Sequence, residues 1–361
     1  MVARLIRKVA NTVYRHPNIA GIPAPTSALQ HLKVALVTDQ LTTDCLALEC
    51  QIQCLTPSNY SHVLQTWKPD FVFIESAFHG QGGSWRYELA KQPSRLLWKK
   101  PSAINRLIDF AKQLAIPVVF WNKDDGAYFD HFIEVAKHCD YVFTSDANCL
   151  PRYRNQLPDG IPVDVLMMPY QPAFHYFDGF HFEKNEACFV GSYYRRILNE
   201  RRTYLDMMFQ TSSQANFPIN IYDRNHDRLS HRFAFRFPRL DHLRMHAKLS
   251  QEQTAQAYKS HAISINVNSV TDSETMVSRR LLEILACGGI VVTNPSRAID
   301  AHFGDFCHVV SNNEEARALF ERFKFGPSSQ DLEMAQAGAE YVAKHHTWAA
   351  RLEQICKIIG L

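Results

Sequence analysis

Five side chains between Ser273 and Arg280 could grip an anion: the hydroxyls of Ser273, Thr275 and Ser278 and the guanidinium groups of Arg279 and Arg280. They stand where a helix-patterned segment begins. Aligned peptide dipoles favour negative charge at such a start, and its free backbone N–H groups point at the ligand. Together they could hold a phosphate without a metal. Glu283, one to two turns further on, suits the hydroxyls of a ribose or sugar, because an ionised carboxylate accepts paired hydrogen bonds.

The elements around these residues give them a place. An apolar strand at 262–267 precedes the polar loop that carries Asn268, and a small-residue stop, Cys287-Gly288-Gly289, leads into a second strand at 290–293. Strand, loop, helix and strand in that order make a parallel crossover unit. Ligands of such units bind at the carboxyl ends of the strands, where this loop lies.

Three other segments carry candidate chemistry. In ESAFHGQGG, Glu75 ends a predicted strand and is followed by Gly80, Gly82 and Gly83. Glycines let a backbone approach a ligand closely, so Gly82 and Gly83 are cleft-loop candidates, while Glu75 either polarises an acceptor hydroxyl or caps its loop. In WNKDDG, Asp125 beside Gly126 is either a catalytic carboxylate or a helix cap. The Asp124-Asp125 pair is not the spaced pair of a metal-diphosphate clamp. In GSYYRRILNERR a Gly191-Ser192 turn precedes Arg195 and Arg196, whose forked guanidinium groups match phosphate oxygens. Arg201 and Arg202 read as a solvated face.

Strands are expected at 33–38, 71–75, 116–121 and 141–144, with helices at 102–114 and 129–139 between them. This alternation is a doubly wound α/β domain. The prolines in VDVLMMPYQPAF put a hinge at 169–172, and the pattern restarts with strands at 187–190 and 219–222. The last helix is expected at about 335–359. The resulting division is an N-terminal helix and linker (1–25), a first domain (26–170), a second domain (171–345) and a terminal segment (346–361).

Ser278-Arg279-Arg280-Leu281-Leu282-Glu283-Ile284-Leu285-Ala286-Cys287-Gly288-Gly289 resembles the donor-binding half of GT-B glycosyltransferases, specifically the CgeB-like, spore-maturation branch of the group-1 enzymes. ESAFHGQGGSWR, FVGSYYRRILNERR and HTWAARLEQI are similar to the same branch. The resemblance implies an α/β GT-B fold: two Rossmann-like domains facing a central cleft, with the C-terminal helix crossing back to the first. It implies transfer from a nucleotide sugar, a UDP-sugar first, to a glycan or lipid-linked acceptor, with retention of configuration. Gly191, Tyr193, Arg195, Asn268, Thr275, Ser278, Arg280 and Glu283 would line the donor site; Asp125 and Glu75 would be the catalytic carboxylates. Many retaining members have two glutamates separated by seven residues; Glu283 matches the second, and the first falls on Thr275, with Glu274 one place early. A nucleotide-sugar epimerase of the same fold and a non-catalytic sugar-binding subunit remain the alternatives.

At 361 residues two domains are the expectation. A net charge of +3 without a lysine/arginine run interleaved with aromatics argues against nucleic acid. Nine scattered cysteines without paired spacing indicate neither a zinc site nor disulfides, and a reduced cytoplasm is the simple reading. The alternation around Cys45, Cys50 and Cys54 suits a strand. No metal or other cofactor is expected. No apolar stretch of about eighteen residues suggests a membrane span. Residues 1–16 are basic and amphipathic, and either lie on anionic lipid from the cytoplasmic side or pack on the body of the protein.

Overall fold

The computed structural model describes residues 28–90, 102–228 and 231–361. The expected N-terminal helix and linker at 1–25 lie outside the described residues. The chain forms two compact units: one takes the described residues up to Met167 together with Trp348–Leu361, the other Met168–Thr347. The sequence reading placed these divisions at 170/171 and 345/346.

The first unit alternates β1 (Lys33–Val37), α1 (Gln40–Leu46), β2 (Gln51–Cys54), α2 (Tyr60–Trp67), β3 (Phe71–Glu75), α3 (Ser102–Gln113), β4 (Val118–Asn122), α4 (Phe129–Ala136), β5 (Tyr141–Thr144), α5 (Leu150–Gln156) and β6 (Val163–Val165). Its six strands are parallel, in the order β2-β1-β3-β4-β5-β6. The runs FVFIE and VVFWN are buried along their whole length, as strands covered on both faces must be. The order reverses beside β1, because β2 lies on one side of it and β3 on the other. A crevice therefore opens at the carboxyl ends of β1 and β3. The expected strand around the three cysteines is a helix followed by a strand: Cys45 lies in α1 and Cys54 in β2, and all nine thiols are free.

In the second unit come β7 (Lys184–Gly191), α6 (Asn199–Gln214), β8 (Ile219–Asp223), α7 (His231–Ala234), β9 (Leu243–His246), α8 (Gln251–Ser260), β10 (His261–Ile265), α9 (Arg279–Ala286), β11 (Val291–Thr293), β12 (Cys307–Val309), α10 (Asn313–Phe323) and α11 (Ser329–His345). The parallel sheet runs β12-β11-β10-β7-β8-β9. Its reversal falls between β7 and β10, so their carboxyl ends, Gly191 and the 266–268 segment, flank the second crevice.

The long terminal helix expected at 335–359 is two helices, α11 and α12 (Trp348–Ile359). The break has a cause. The Tyr170 N–H donates to His346 O at 2.9 Å, and Tyr170 bridges Thr347, so the chain leaves the helical path there. Beyond it α12 packs within the first unit: Trp348 meets Trp121 edge-on at 5.7 Å, and Arg351 donates to Met167 O at 2.9 Å. No helix of the described residues is long and apolar enough to cross a membrane.

Candidate active site

In the second unit, α9 begins at the crevice and supplies Arg280. Its Nε donates to Val190 O at 2.6 Å and its Nη1 reaches Asn266 Oδ1 and Ser278 Oγ, each at 3.4 Å. Gly191 makes room for it, since a Cβ there would lie 2.8 Å from Arg280 Nη2 and 2.7 Å from Phe189 Cζ. Arg201 enters from α6, with Nη2 on Ser192 O at 2.9 Å and Nη1 on Val267 O at 3.2 Å. Its Nε is buried without a partner. Arg224, exposed just after β8, exerts its charge on both.

Among the described residues no ion pair joins a carboxylate to Arg201, Arg224 or Arg280. Burial, followed by the nearby Arg280 charge, pushes the Arg201 pKa down to about 9. Backbone carbonyls and neutral side-chain oxygens meet most of the N–H groups but do not neutralise the charges. Burying like charges without a counter-ion is costly.

The loop before α9 is held by amides rather than by bulk. Asn268 Oδ1 accepts from Ser278 N at 3.0 Å, and the Asn268 N–H is fixed by Asn294 Oδ1 at 2.7 Å. Ser278 is the N-cap of α9 yet makes no side-chain cap bond. Ser273 Oγ accepts from the Thr275 and Met276 N–H groups at 3.3 Å, which draws half-buried Thr275 into the loop. Glu283 is buried and paired with Arg279 at 2.8 Å. Burial raises its pKa, but Arg279, His175, Arg224 and Arg280 outweigh that and hold it below the usual carboxylate range.

Two expected donor residues sit differently. Tyr193 is buried with its hydroxyl committed to Asp206 Oδ1 at 2.7 Å. Arg195 is exposed and its backbone N–H bonds Ala234 O. Arg201, expected to be solvated, is buried instead. Arg201 shares the buried stripe of α6 with Tyr204, Leu205 and Met208, and that helical spacing is the signal that identifies it.

In the first unit Glu75 ends β3 fully buried. Asp39 N–H donates to its Oε1 at 2.5 Å and Thr42 Oγ1 to its Oε2 at 2.6 Å. Lys123 Nζ lies 3.1 Å from Glu75 and 2.5 Å from Asp39 Oδ2. Burial pushes the Glu75 pKa up to about 7 despite Lys123. Asp39, which also caps α1 by accepting from Thr42 N, keeps 39 % of its side chain exposed and is the solvent-reaching carboxylate of this group. Asp39 follows the apolar run of β1 as Glu75 follows that of β3. The strand-end rule that singled out Glu75 applies equally to Asp39.

Asp125 is not a cleft carboxylate. It is fully buried, accepts from Asn122 Nδ2 and Thr144 Oγ1 at 2.5 Å each, and takes the Tyr153 hydroxyl at 3.0 Å. These bonds tie β4, β5 and α5 together; the expected catalytic role does not fit a carboxylate so enclosed. Gly82 and Gly83 have φ of 58° and 77°, and a Cβ on either would meet nothing within 4 Å. They turn the chain, and the tight position is Gly80, where a Cβ would lie 2.9 Å from Trp85. Among the described residues no group of three His, Cys, Asp or Glu side chains is placed to hold a metal ion.

Residues 195–357 match the family described as glycosyl transferase-like. A comparison with curated proteins found no match in sequence. Solved structures are similar at low identity. An alpha-glucosyltransferase in complex with UDP and a 13-mer DNA containing an HMU base aligns over 91% of this chain and 100% of that one, with a TM-score of 0.60 and 10% identity. Anabaena HepE in complex with UDP and glucose aligns over 91% and 100%, at 0.55 and 9%. Sucrose-phosphate synthase from Thermosynechococcus elongatus aligns over 91% and 98%, at 0.54 and 8%. The fold is that of GT-B glycosyltransferases, two Rossmann-like domains each built on a six-stranded parallel sheet.

Proposed function

We propose that this protein is a glycosyltransferase of the CgeB-like branch that moves a sugar from a nucleoside diphosphate donor, UDP-sugar first, to a hydroxyl of a glycan or lipid-linked acceptor. One observation carries the reading: among the described residues Arg201 and Arg280, buried at the carboxyl ends of β7 and β10 with Arg224 beside them, form no ion pair with a carboxylate. A diphosphate supplies the anion this arrangement lacks. The same charges stabilise the leaving nucleoside diphosphate as the glycosidic bond breaks, the electrostatic contribution that usually dominates. No divalent metal is required for that task, and Glu283 takes the ribose hydroxyls.

On the acceptor side the group is Asp39, backed by Lys123 and Glu75, in place of Asp125. A partly exposed carboxylate beside a half-buried cation can orient a hydroxyl and accept its proton. The resemblance favours retention of configuration and a cytoplasmic site of action. A thermal-shift panel of UDP-, GDP-, CMP- and dTDP-sugars, followed by transfer assays with and without EDTA, tests the reading. UDP-sugar stabilisation and EDTA-resistant transfer are expected. Restoration of activity only by manganese or magnesium overturns the metal-free account, and the absence of stabilisation by any donor overturns the assignment.

A further inference from the structure

The segments that follow β7 and β8 carry a surface that the donor account leaves unused. Ile197 is 51% exposed, and Phe233, in α7, is 68% exposed. The segments that bear them are tied together. The Arg195 N–H donates to Ala234 O at 3.0 Å, and the Tyr194 ring meets Phe235 edge-on at 5.5 Å. The turn after β8 joins the same group, since the Arg228 guanidinium lies 5.5 Å over the Phe235 ring.

The same segments are rich in unneutralised positive charge. Arg195, Arg196, Arg224 and Arg228 are exposed, and half-buried Arg202 donates to Arg195 O. Among the described residues no ion pair joins a carboxylate to any of them. Of the neighbouring acids, Asp206 accepts from the Tyr193 hydroxyl, Asp227 pairs with Lys248 at 3.3 Å, Asp223 is buried, and Glu200 is exposed. Residues 232–239, RFAFRFPR, are a basic run interleaved with aromatics that the sequence reading passed over. A lone exposed apolar side chain needs no partner. Two on segments bound to each other, among arginines without counter-ions, match a surface that is both apolar and anionic. A nucleic acid supplies the charge but not the apolar depth: Ile197 has no face for a base to stack on. The Tyr194 and Phe235 rings are taken up by each other and by Arg228.

We propose that this face of the second unit docks on a bilayer rich in anionic lipid, with Phe233 and Ile197 entering the headgroup region and Arg195, Arg196 and Arg228 meeting the lipid phosphates. An anionic bilayer offers both things the surface lacks, negative headgroups and an apolar boundary just beneath them. The contact is separate in the chain from basic residues 1–16. Docking narrows the acceptor to one presented at a lipid surface; that consequence rests on the transferase reading, whereas the docking itself does not.

Flotation of the full chain with vesicles tests it, using phosphatidylcholine alone and in equal parts with phosphatidylglycerol. At low salt the wild type should float with the mixed vesicles and not with the neutral ones. Arg196→Gln combined with Arg228→Gln should weaken partitioning by about twenty-fivefold, about fivefold for each charge near an anionic surface. High salt should weaken it as well, because it screens those charges. Ile197→Ser combined with Phe233→Ser should lower partitioning at least about tenfold, whereas Phe233→Trp, which keeps an apolar ring, should float like the wild type. The emission of Phe233→Trp, less that of the wild type, should shift to shorter wavelength on mixed vesicles, a readout that needs no disrupted variant. Unchanged flotation of both folded double variants would place the lipid contact elsewhere in the chain and overturn the inference. Failure of the wild type to float overturns it too, as does capture of a DNA oligonucleotide without flotation, which would make the surface a nucleic-acid site. None of these outcomes touches the transferase reading, which falls instead if no nucleotide sugar stabilises the protein.

Discussion

At the switch point of the first sheet the charges are closed on themselves: Lys123 lies between Asp39 and Glu75, and Glu75 also accepts from Thr42. At that of the second sheet Arg201 and Arg280 are buried comparably but meet only neutral oxygen acceptors. Both sets arise from the same topology, a parallel sheet whose strand order reverses. The difference lies in what each would gain from a ligand. A self-neutralised network can orient a neutral hydroxyl with little change in its own charge. A cation cluster without an anion is a preorganised receptor, unstable relative to its complex.

Breaking the arginine cluster should give the largest effect. Arg201→Met keeps an apolar stem and removes a buried charge without a counter-ion, which relieves its desolvation cost in the free fold. UDP affinity should fall by about 1.5–3 kcal/mol, the worth of hydrogen bonds to a charged group, and the melting temperature without ligand should hold or rise. Calorimetry and melting curves on the same preparation decide it. A variant that melts far lower yet binds UDP normally would make Arg201 a strut between α6 and the sheet.

The first unit should respond in catalysis rather than in binding. Asp39→Asn keeps the size and cap geometry of the side chain but removes the exposed carboxylate. Turnover at saturating donor should drop at least about tenfold, the lower part of the range for a positioned base, with UDP affinity unaltered. Equal losses in turnover and donor affinity would remove the contrast between the two sheets.

How far these sites could be read from the chain depended on the signal involved. Long apolar runs bounded by polar residues gave the strands: 71–75 and 141–144 are β3 and β5 as expected. The crossover unit around Ser278 and Glu283 was legible because strand, loop, helix and glycine stop follow one another directly. Asp125 was misjudged because a carboxylate after a strand looks the same whether it faces a crevice or, as here, Thr144 and Tyr153. Arg201 was misjudged because arginine is usually solvated, although its place on the Tyr204/Leu205/Met208 stripe marks it as buried. The pairing of Lys123 with Asp39, 84 residues apart, is a product of sheet order that no local pattern records.

Asp125 offers a smaller effect of the opposite kind. Asp125→Asn retains volume but disturbs the bonds from Asn122, Thr144 and Tyr153. The loss should be about 1–3 kcal/mol of stability, the cost of leaving buried polar groups poorly paired. Turnover of the folded fraction should be normal. Differential scanning calorimetry beside an activity assay measures both. Normal melting with lost turnover would return Asp125 to the catalytic machinery and weaken the assignment of Asp39.

The smallest expected signal is a pH slope, and it bears on how closed the first network is. Glu75 has its pKa raised from 4.5 to about 7, chiefly by burial. An acid shifted this way keeps its proton in the folded state over a range where the unfolded chain has released it. The folded state then binds more protons, and stability falls as pH rises. The contribution is fully present below 4.5 and lost by the time pH passes about 7. Four buried or half-buried histidines with lowered pKa values, His175, His246, His261 and His308, act in the opposite sense below 6.5. The raw curve therefore mixes the two, and the informative quantity is the difference from Glu75→Gln, which removes only this titration. Denaturant unfolding of both proteins from pH 4.5 to 8 should show the wild type losing ground to the variant as pH increases. A flat difference, or a wild type that gains on the variant, would mean that Glu75 is ionised throughout and held by Lys123. The first switch point would then be a permanent ion triad, and Asp39 alone would be left to take a proton from the acceptor.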